Sequence, residues 1–330
     1  MSTMRSPGVD GVRILGLLAV VVGHVWPNSA LVNRGVYTWH VPLFFFLAGW
    51  FGVPERSLRA EARSRWRSLL VPYLTWLGVI GFFVLLQDFC STEAHLSKDV
   101  VRMLAGGEYL TAPFSAFWFM TALTASVLLV RATRRVPRWW LAVGAAGALT
   151  IADVAPQVLA AVPLGVGVAL PATVFILAGR CIACLAGAVT RPTLIGGLLL
   201  ATGASAVVIG VRPLDVKHGD FGDPLISVLV AIMLCAGLTI VSSQLDSFLR
   251  RGSASCLSEL AKVGSGVVLT HSFVVWVAEG WMPRLVVAFM AVVLPWTAMI
   301  LVHRTRVSPF FLGVPRRVRP LWRDPDASAS

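Results

Sequence analysis

The chain has 330 residues, of which 57% are hydrophobic and only 13% are charged, and its mean hydropathy is +0.79. Soluble globular proteins carry about a quarter charged residues, so this composition excludes that class and predicts a polytopic membrane protein. The net charge of +12 would suit nucleic-acid binding, but the basic residues lie between apolar stretches, where they mark topology and contact anionic lipid headgroups. We therefore expect membrane lipids as partners and no nucleic acid.

Apolar stretches close to the roughly 20 residues that cross a bilayer recur along the whole chain. They predict an all-α transmembrane helical bundle of about ten helices. In chain order, the predicted spans are 11–26, 35–53, 69–87, 114–130, 139–151, 164–189, 194–211, 224–241, 257–278 and 285–302.

Basic residues concentrate in alternate connections between these spans, which is typical of cytoplasmic loops. The second, fourth, sixth and eighth connections hold Arg56, Arg59, Arg63, Arg65, Arg67, Arg131, Arg134, Arg135, Arg138, Arg191, Arg250 and Arg251. This pattern places both termini in the cytoplasm and predicts a multi-pass protein of the inner (cytoplasmic) membrane. We divide the chain into a transmembrane domain, residues 1–310, and a basic, then disordered, cytoplasmic tail, residues 311–330.

The first span carries two ionisable side chains, Arg13 and His24, that lipid rarely tolerates without a function. A helix turns about 100° per residue, so an eleven-residue separation returns them to nearly the same face, about 16 Å apart along the axis. That distance is close to the length of an extended pantetheine arm.

Several ordered motifs resemble the acyltransferase-3 family of integral membrane O-acyltransferases. Arg13 is followed after ten residues by His24, and the segment from His40 to Gly49 is similar to the fucose 4-O-acetylase branch, with Ala48 in place of the usual serine. The arginine-rich run ending at 69–74, the aromatic segment 117–120, and the stretch 263–271 follow in the family's order. The resemblance implies an enzyme that transfers an acyl group to a hydroxyl.

The donor that the resemblance implies is cytoplasmic acyl-CoA, most simply acetyl-CoA, as co-substrate. Guanidinium groups suit phosphate geometry, so the expected phosphate-binding residues are Arg13, Arg63, Arg65 and Arg67. Family members often carry two arginines three residues apart, but here Ser68 follows Arg65 at that spacing, and Arg67 is the nearest substitute. Arg180, on the cytoplasmic half of the sixth span, could contact CoA or extend to the headgroups.

The expected catalytic residues are His24 and His40. His24 either acts as the general base that deprotonates an acceptor hydroxyl or forms an acyl-imidazole intermediate, and His40 supports it. Trp118 and His271 should lie at the same depth and bind the acceptor, although an aromatic belt also explains Trp118. We expect no metal, because Cys181 and Cys184 lie in an apolar helix without a second ligand pair.

The implied acceptor is a sugar, glycolipid, polysaccharide or glycosylated metabolite. Helix depth favours its entry from the outer side only weakly. A different class of function also fits a ten-helix bundle with polar groups near its midplane: a multipass transporter or flippase of a polyprenyl-linked or metabolite substrate. We find no internal sequence repeat of the kind that many carriers have.

Overall fold

Helices dominate the part of the chain that this computed structural model describes, residues 6–52, 56–90 and 96–317. Within these ranges, thirteen α-helices have eight or more residues. They are α1 (Pro7–Val25), α2 (His40–Trp50), α3 (Leu58–Arg65), α4 (Val71–Phe89), α5 (Leu96–Ala105), α6 (Trp118–Ala132), α7 (Arg138–Val154), α8 (Val166–Ala186), α9 (Pro192–Ile209), α10 (Ile226–Gln244), α11 (Arg251–Lys262), α12 (Gly264–Ala278) and α13 (Arg284–His303). The all-α prediction is confirmed.

Shorter turns of helix join these elements. They are the α-helical turns Ala30–Val32, Pro156–Ala160 and Ser308–Phe311, the π-helical turns Asn33–Tyr37 and Trp66–Leu70, and the 3₁₀ turns Gly107–Tyr109, Thr133–Arg135, Pro163–Gly165, Val216–His218 and Leu245–Ser247.

Within the described residues, six helices are long and apolar enough to cross a bilayer, or seven if α11 and α12, bent by 62°, form one span. The predicted second, fourth and fifth spans coincide with the shorter helices α2, α6 and α7, of 11, 15 and 17 residues. Eleven helical residues extend only about 16 Å, roughly half the hydrocarbon thickness. The count of ten and the cytoplasmic placement of the termini therefore stay predictions, and Val53, at the end of the second span, lies outside the described residues.

Helix α1 lies at the centre of the bundle and packs against α2, α10, α11, α12 and α13. Its start is well defined because the Ser6 side chain accepts a hydrogen bond from the Val9 amide, and Pro7 has no amide hydrogen to satisfy. Small and β-branched residues then let neighbouring helices approach, and Val9, Val12 and Val21 are buried. The central position of α1 explains why its polar side chains face protein rather than lipid.

Helices α2 and α8 cross with their backbones almost in contact. A Cβ atom added at Gly49 would lie 1.9 Å from the Ile176 carbonyl oxygen, and one added at Gly179 would lie 2.0 Å from the Phe46 carbonyl oxygen. Small residues are the usual means of such close approach between membrane helices. This crossing fixes Arg180, the residue after Gly179, beside the C-terminal end of α2.

The arginine-rich run folds as α3, capped by the Ser57 hydroxyl, followed by the π-helical turn and α4. The turn precedes Pro72, which cannot donate a backbone hydrogen bond, so the regular hydrogen-bond ladder is interrupted there.

At the other end of the chain, Leu312 is buried and the Trp76 indole donates to the Phe311 carbonyl. The rest of the predicted tail, residues 318–330, lies outside the described residues.

Candidate functional site

A cavity of about 240 Å³ lies at the C-terminal end of α1. His24, His40 and Trp118 line it, each on a different helix, together with Tyr37 and Phe119. The fourth side chain expected at this depth, His271, is buried behind the cavity wall with its ring centroid 5.0 Å from that of His24. The structure therefore brings together four side chains that are distant in sequence.

Hydrogen bonds fix the tautomers of two of the histidines. His40 Nδ1 lies 2.8 Å from the Val36 carbonyl oxygen, and His271 Nδ1 lies 3.1 Å from that of Val267, so in both rings Nδ1 carries the proton and donates it. The Nε2 atom of each ring is then an acceptor, and that of His271 accepts from the Ser272 hydroxyl at 3.2 Å. The His24 ring makes no side-chain hydrogen bond within the described part of the chain, so it is available to a substrate.

The connection between α9 and α10 supplies a polar wall to the same cavity through Asp215, Lys217 and His218. His218 Nδ1 lies 2.7 Å from the Asp215 carboxylate, and this hydrogen bond raises the pKa of His218. Lys217 donates to the Leu110 carbonyl at 2.6 Å, and burial lowers its pKa against the opposing effects of Asp215 and Glu108. The sequence analysis missed these residues because their mixed charges look like an ordinary solvated loop.

A second cavity, of about 280 Å³, lies toward the N-terminal end of α1 and contains Arg13 and Arg65. Arg13 forms a 2.9 Å ion pair with the buried carboxylate of Asp10, which also accepts a 2.7 Å hydrogen bond from Ser258. The guanidinium lies over the Phe51 ring, 4.6 Å from its centroid. Arg13 is therefore held in place before any ligand arrives.

The two cavities meet at the side chains of Phe44, Phe119 and Val268, which line both of them. The Phe44 and Phe119 rings are in edge-to-face contact, with centroids 5.5 Å apart. Gly16 leaves room for this arrangement, because a Cβ atom there would lie 2.9 Å from the edge of the Phe44 ring. An apolar partition thus separates the arginine cavity from the histidine cavity.

A third, smaller cavity of about 70 Å³ is built around Glu61, whose side chain is only 3% exposed. Its carboxylate lies 2.8 Å from Arg65, 3.4 Å from Arg56 and 3.9 Å from Arg131. Three guanidinium groups thus surround one carboxylate, and Arg180 lines the same cavity without an ion pair to Glu61 in the described part of the chain. The sequence analysis missed Glu61 because a single acid within an arginine-rich run gives no signal of burial.

The expected phosphate-binding arginines therefore have different surroundings. Arg65 joins the Arg13 cavity to the Glu61 cavity, and Arg180 lines only the latter of the two. Arg63 and Arg67 are exposed and line none of these three cavities. Within the described residues, no group of three or more His, Cys, Asp or Glu side chains is placed to hold a metal ion.

A family model described as an acyltransferase domain matches residues 6–302, which include all three cavities. No curated protein and no solved structure matches the chain.

Proposed function

Because the chain belongs to the acyltransferase-3 family and is thus a membrane acyltransferase, we propose that it transfers an acyl group, most simply acetyl, from cytoplasmic acyl-CoA to a sugar hydroxyl. The acceptor is a sugar, glycolipid, polysaccharide or glycosylated metabolite, and the protein works in the inner membrane. The observation that carries this proposal is the meeting of the Arg13 cavity and the His24 cavity at one thin partition.

The donor binds with its phosphates near Arg13 and Arg65, where a buried carboxylate already holds each guanidinium in place. Preorganised guanidinium groups lose little side-chain entropy when they bind phosphate. Arg180 lines the Glu61 cavity and not the Arg13 cavity, so it is not a direct donor contact in this proposal, whereas Arg63 and Arg67 attract the polyanion from the surface. The pantetheine arm then extends along α1, past Phe44 and Phe119, and presents the thioester to His24.

His24 acts as general base in this proposal. Its imidazole takes the proton of the acceptor hydroxyl as the oxygen attacks the thioester carbonyl, and the tetrahedral intermediate then expels the CoA thiolate, which takes the proton from the imidazolium. In the alternative route, His24 attacks the thioester itself and passes the acyl group on from an acyl-imidazole. Both routes need an imidazole that is free to contact substrate.

His40 binds the acceptor in this proposal and does not donate a hydrogen bond to the oxyanion. Its Nδ1 donates to Val36, so its Nε2 accepts a hydrogen bond and suits a second hydroxyl of the acceptor. Trp118 and Tyr37 offer apolar ring faces to a sugar in the same cavity, and His271 fixes the His24 ring from behind.

The test is release of free CoA from acetyl-CoA by purified protein with a panel of sugar acceptors. His24→Gln should lower turnover at least 100-fold, the usual contribution of a positioned base, while binding of acetyl-CoA is retained because Arg13 lies in the other cavity. A transporter or flippase would release no CoA. Turnover of the His24→Gln variant at the wild-type rate would contradict the proposal.

A further inference from the structure

An apolar groove of about 800 Å³ runs between α6, α7 and α8; it shares no lining residue with the Arg13 and His24 cavities and adjoins the Glu61 cavity at Val130 and Arg180. Its walls include Leu141, Ala145, Val174 and Leu177, and two arginines, Arg134 and Arg180, also line it. We propose that this groove binds an anionic phospholipid, with its phosphate between the two guanidinium groups and an acyl chain along the apolar walls.

The two arginines of the groove lack a compensating carboxylate within the described residues. Neither Arg134 nor Arg180 forms an ion pair with a carboxylate in the described part of the chain, and both repel the positive charge of Arg131. Glu61, which lines the adjoining cavity together with Arg180, is already shared by Arg56, Arg65 and Arg131. Basic side chains in or beside membrane helices normally pair with an anion, so an anionic group from outside the chain is the missing partner.

The position of Arg180 suits a lipid phosphate. The residue lies six positions before the end of α8 at Ala186, about 9 Å inside that helix end. Its backbone cannot withdraw, because a Cβ atom on Gly49 would lie only 3.0 Å from the Arg180 amide nitrogen at the α2–α8 crossing. Only the flexible side chain can adjust, and it lines the same groove as Arg134.

The groove walls favour a lipid over a soluble anion. Small side chains at Ala142 and Ala145 open the space between α7 and α8, and the exposed Val136 and Leu185 border it on the surface. A water-soluble phosphate compound would gain nothing from these walls, whereas an acyl chain follows them. Basic pockets between membrane helices on the cytoplasmic side commonly bind anionic lipid headgroups.

The experiment is native mass spectrometry of the detergent-solubilised full chain, titrated with phosphatidylglycerol or with phosphatidylcholine of identical acyl chains. The wild-type protein should prefer phosphatidylglycerol. Arg134→Gln should reduce that preference about five-fold, the effect of one arginine near an anionic headgroup. Arg135→Gln is the matched control, because Arg135 is also exposed but does not line the groove.

Two further measurements keep the proposal testable. Ala145→Trp should fill the groove and remove binding of both lipids at this site, and a thermal unfolding midpoint near that of the wild type shows that the variant is folded. Equal loss in Arg134→Gln and Arg135→Gln, or unchanged binding in Ala145→Trp, would overturn the proposal. Displacement of the lipid by millimolar inorganic phosphate would also overturn it, since that identifies a phosphate site without an acyl chain. None of these measurements requires turnover, so they remain informative if the proposed function fails.

Discussion

Arg65 and Arg67 are two residues apart, yet their guanidinium groups have different surroundings. The Arg65 side chain is 23% exposed, pairs with Glu61 and reaches two cavities, whereas Arg67 points to the surface. A preorganised guanidinium in a confined site binds phosphate more strongly than a solvated one. Its side-chain conformational entropy is already lost on folding, and solvent screens its attraction to the phosphate less.

We therefore expect Arg65→Gln to raise the KM for acetyl-CoA at least tenfold with little change in kcat, the pattern of lost donor binding. Arg67→Gln is the matched variant and should change KM less than about threefold, the effect of a screened surface charge. Initial-rate measurements over a range of donor concentrations decide between them. Equal effects of the two variants would show that the cavity contacts of Arg65 do not matter for the donor.

The two site residues that the sequence predicts most directly lie in an apolar helix, whereas those that were missed lie in polar segments. Arg13 and His24 could be found because ionisable groups inside an apolar helix are conspicuous, and helical geometry relates them directly. Glu61 and Asp215 lie in polar segments, where an acid is the expected composition. Their burial or cavity position depends on helices far away in the chain, which a one-dimensional pattern does not contain.

At the scale of elements, the crossing of α2 and α8 determines where the arginine cavities lie. Gly49→Ala should destabilise the protein strongly, because the added methyl group would overlap the Ile176 carbonyl and force the helices apart. Gly197→Ala in α9 is the control, since nothing lies within 4 Å of its added Cβ atom. We expect a lower thermal unfolding midpoint only for Gly49→Ala, and similar midpoints for both variants would contradict the close-contact interpretation.

The connection between α9 and α10 should respond to pH through His218. Its pKa is raised by the hydrogen bond with Asp215, so the ion pair stabilises the folded loop fully below the unfolded pKa of about 6.5 and is lost as the pH rises through the folded pKa. Lys217 and Glu108, which lie nearby, act in opposite directions on this pKa. Hydrogen exchange in residues 212–223, corrected for intrinsic rates, should be slower at pH 5.5 than at pH 8.

Asp215→Asn provides the control for this pH effect. An amide keeps a hydrogen-bonding group of the same size but removes the charge that favours protonated His218. The difference in protection between the two pH values should then largely disappear. A loop whose protection is independent of pH in the wild-type protein would rule out a contribution from this pair.

Helix type was predictable for every span, whereas helix length was not. The second predicted span, 35–53, is continuous in hydropathy, but the structure divides it into a π-helical turn and the 11-residue α2. The break occurs where Tyr37 and His40 turn toward the cavity, so tertiary contacts override the apolar pattern. Hydropathy reports the surroundings of a segment and not the point at which its backbone changes direction.

At the scale of the whole molecule, the three cavities follow a simple arrangement. The arginine cavities lie around the N-terminal half of α1 and the C-terminal end of α2, and the histidine cavity lies around the opposite ends of the same two helices. Because α1 and α2 pack antiparallel, one end of this helix pair carries the arginine cavities and the other end carries the histidine cavity. The sequence predicted this division from the spacing of Arg13 and His24, but the cavity shapes required the packing of all the surrounding helices.

The partition formed by Phe44, Phe119 and Val268 also has an energetic consequence for the cell. Two cavities toward opposite ends of α1 would form a passage if they joined, and these three apolar side chains lie where the cavities meet. Loss of the rings would admit a continuous file of water, along which protons could run down the membrane potential. The aromatic pair would then also limit proton leakage, beside its place in the proposed acyl transfer.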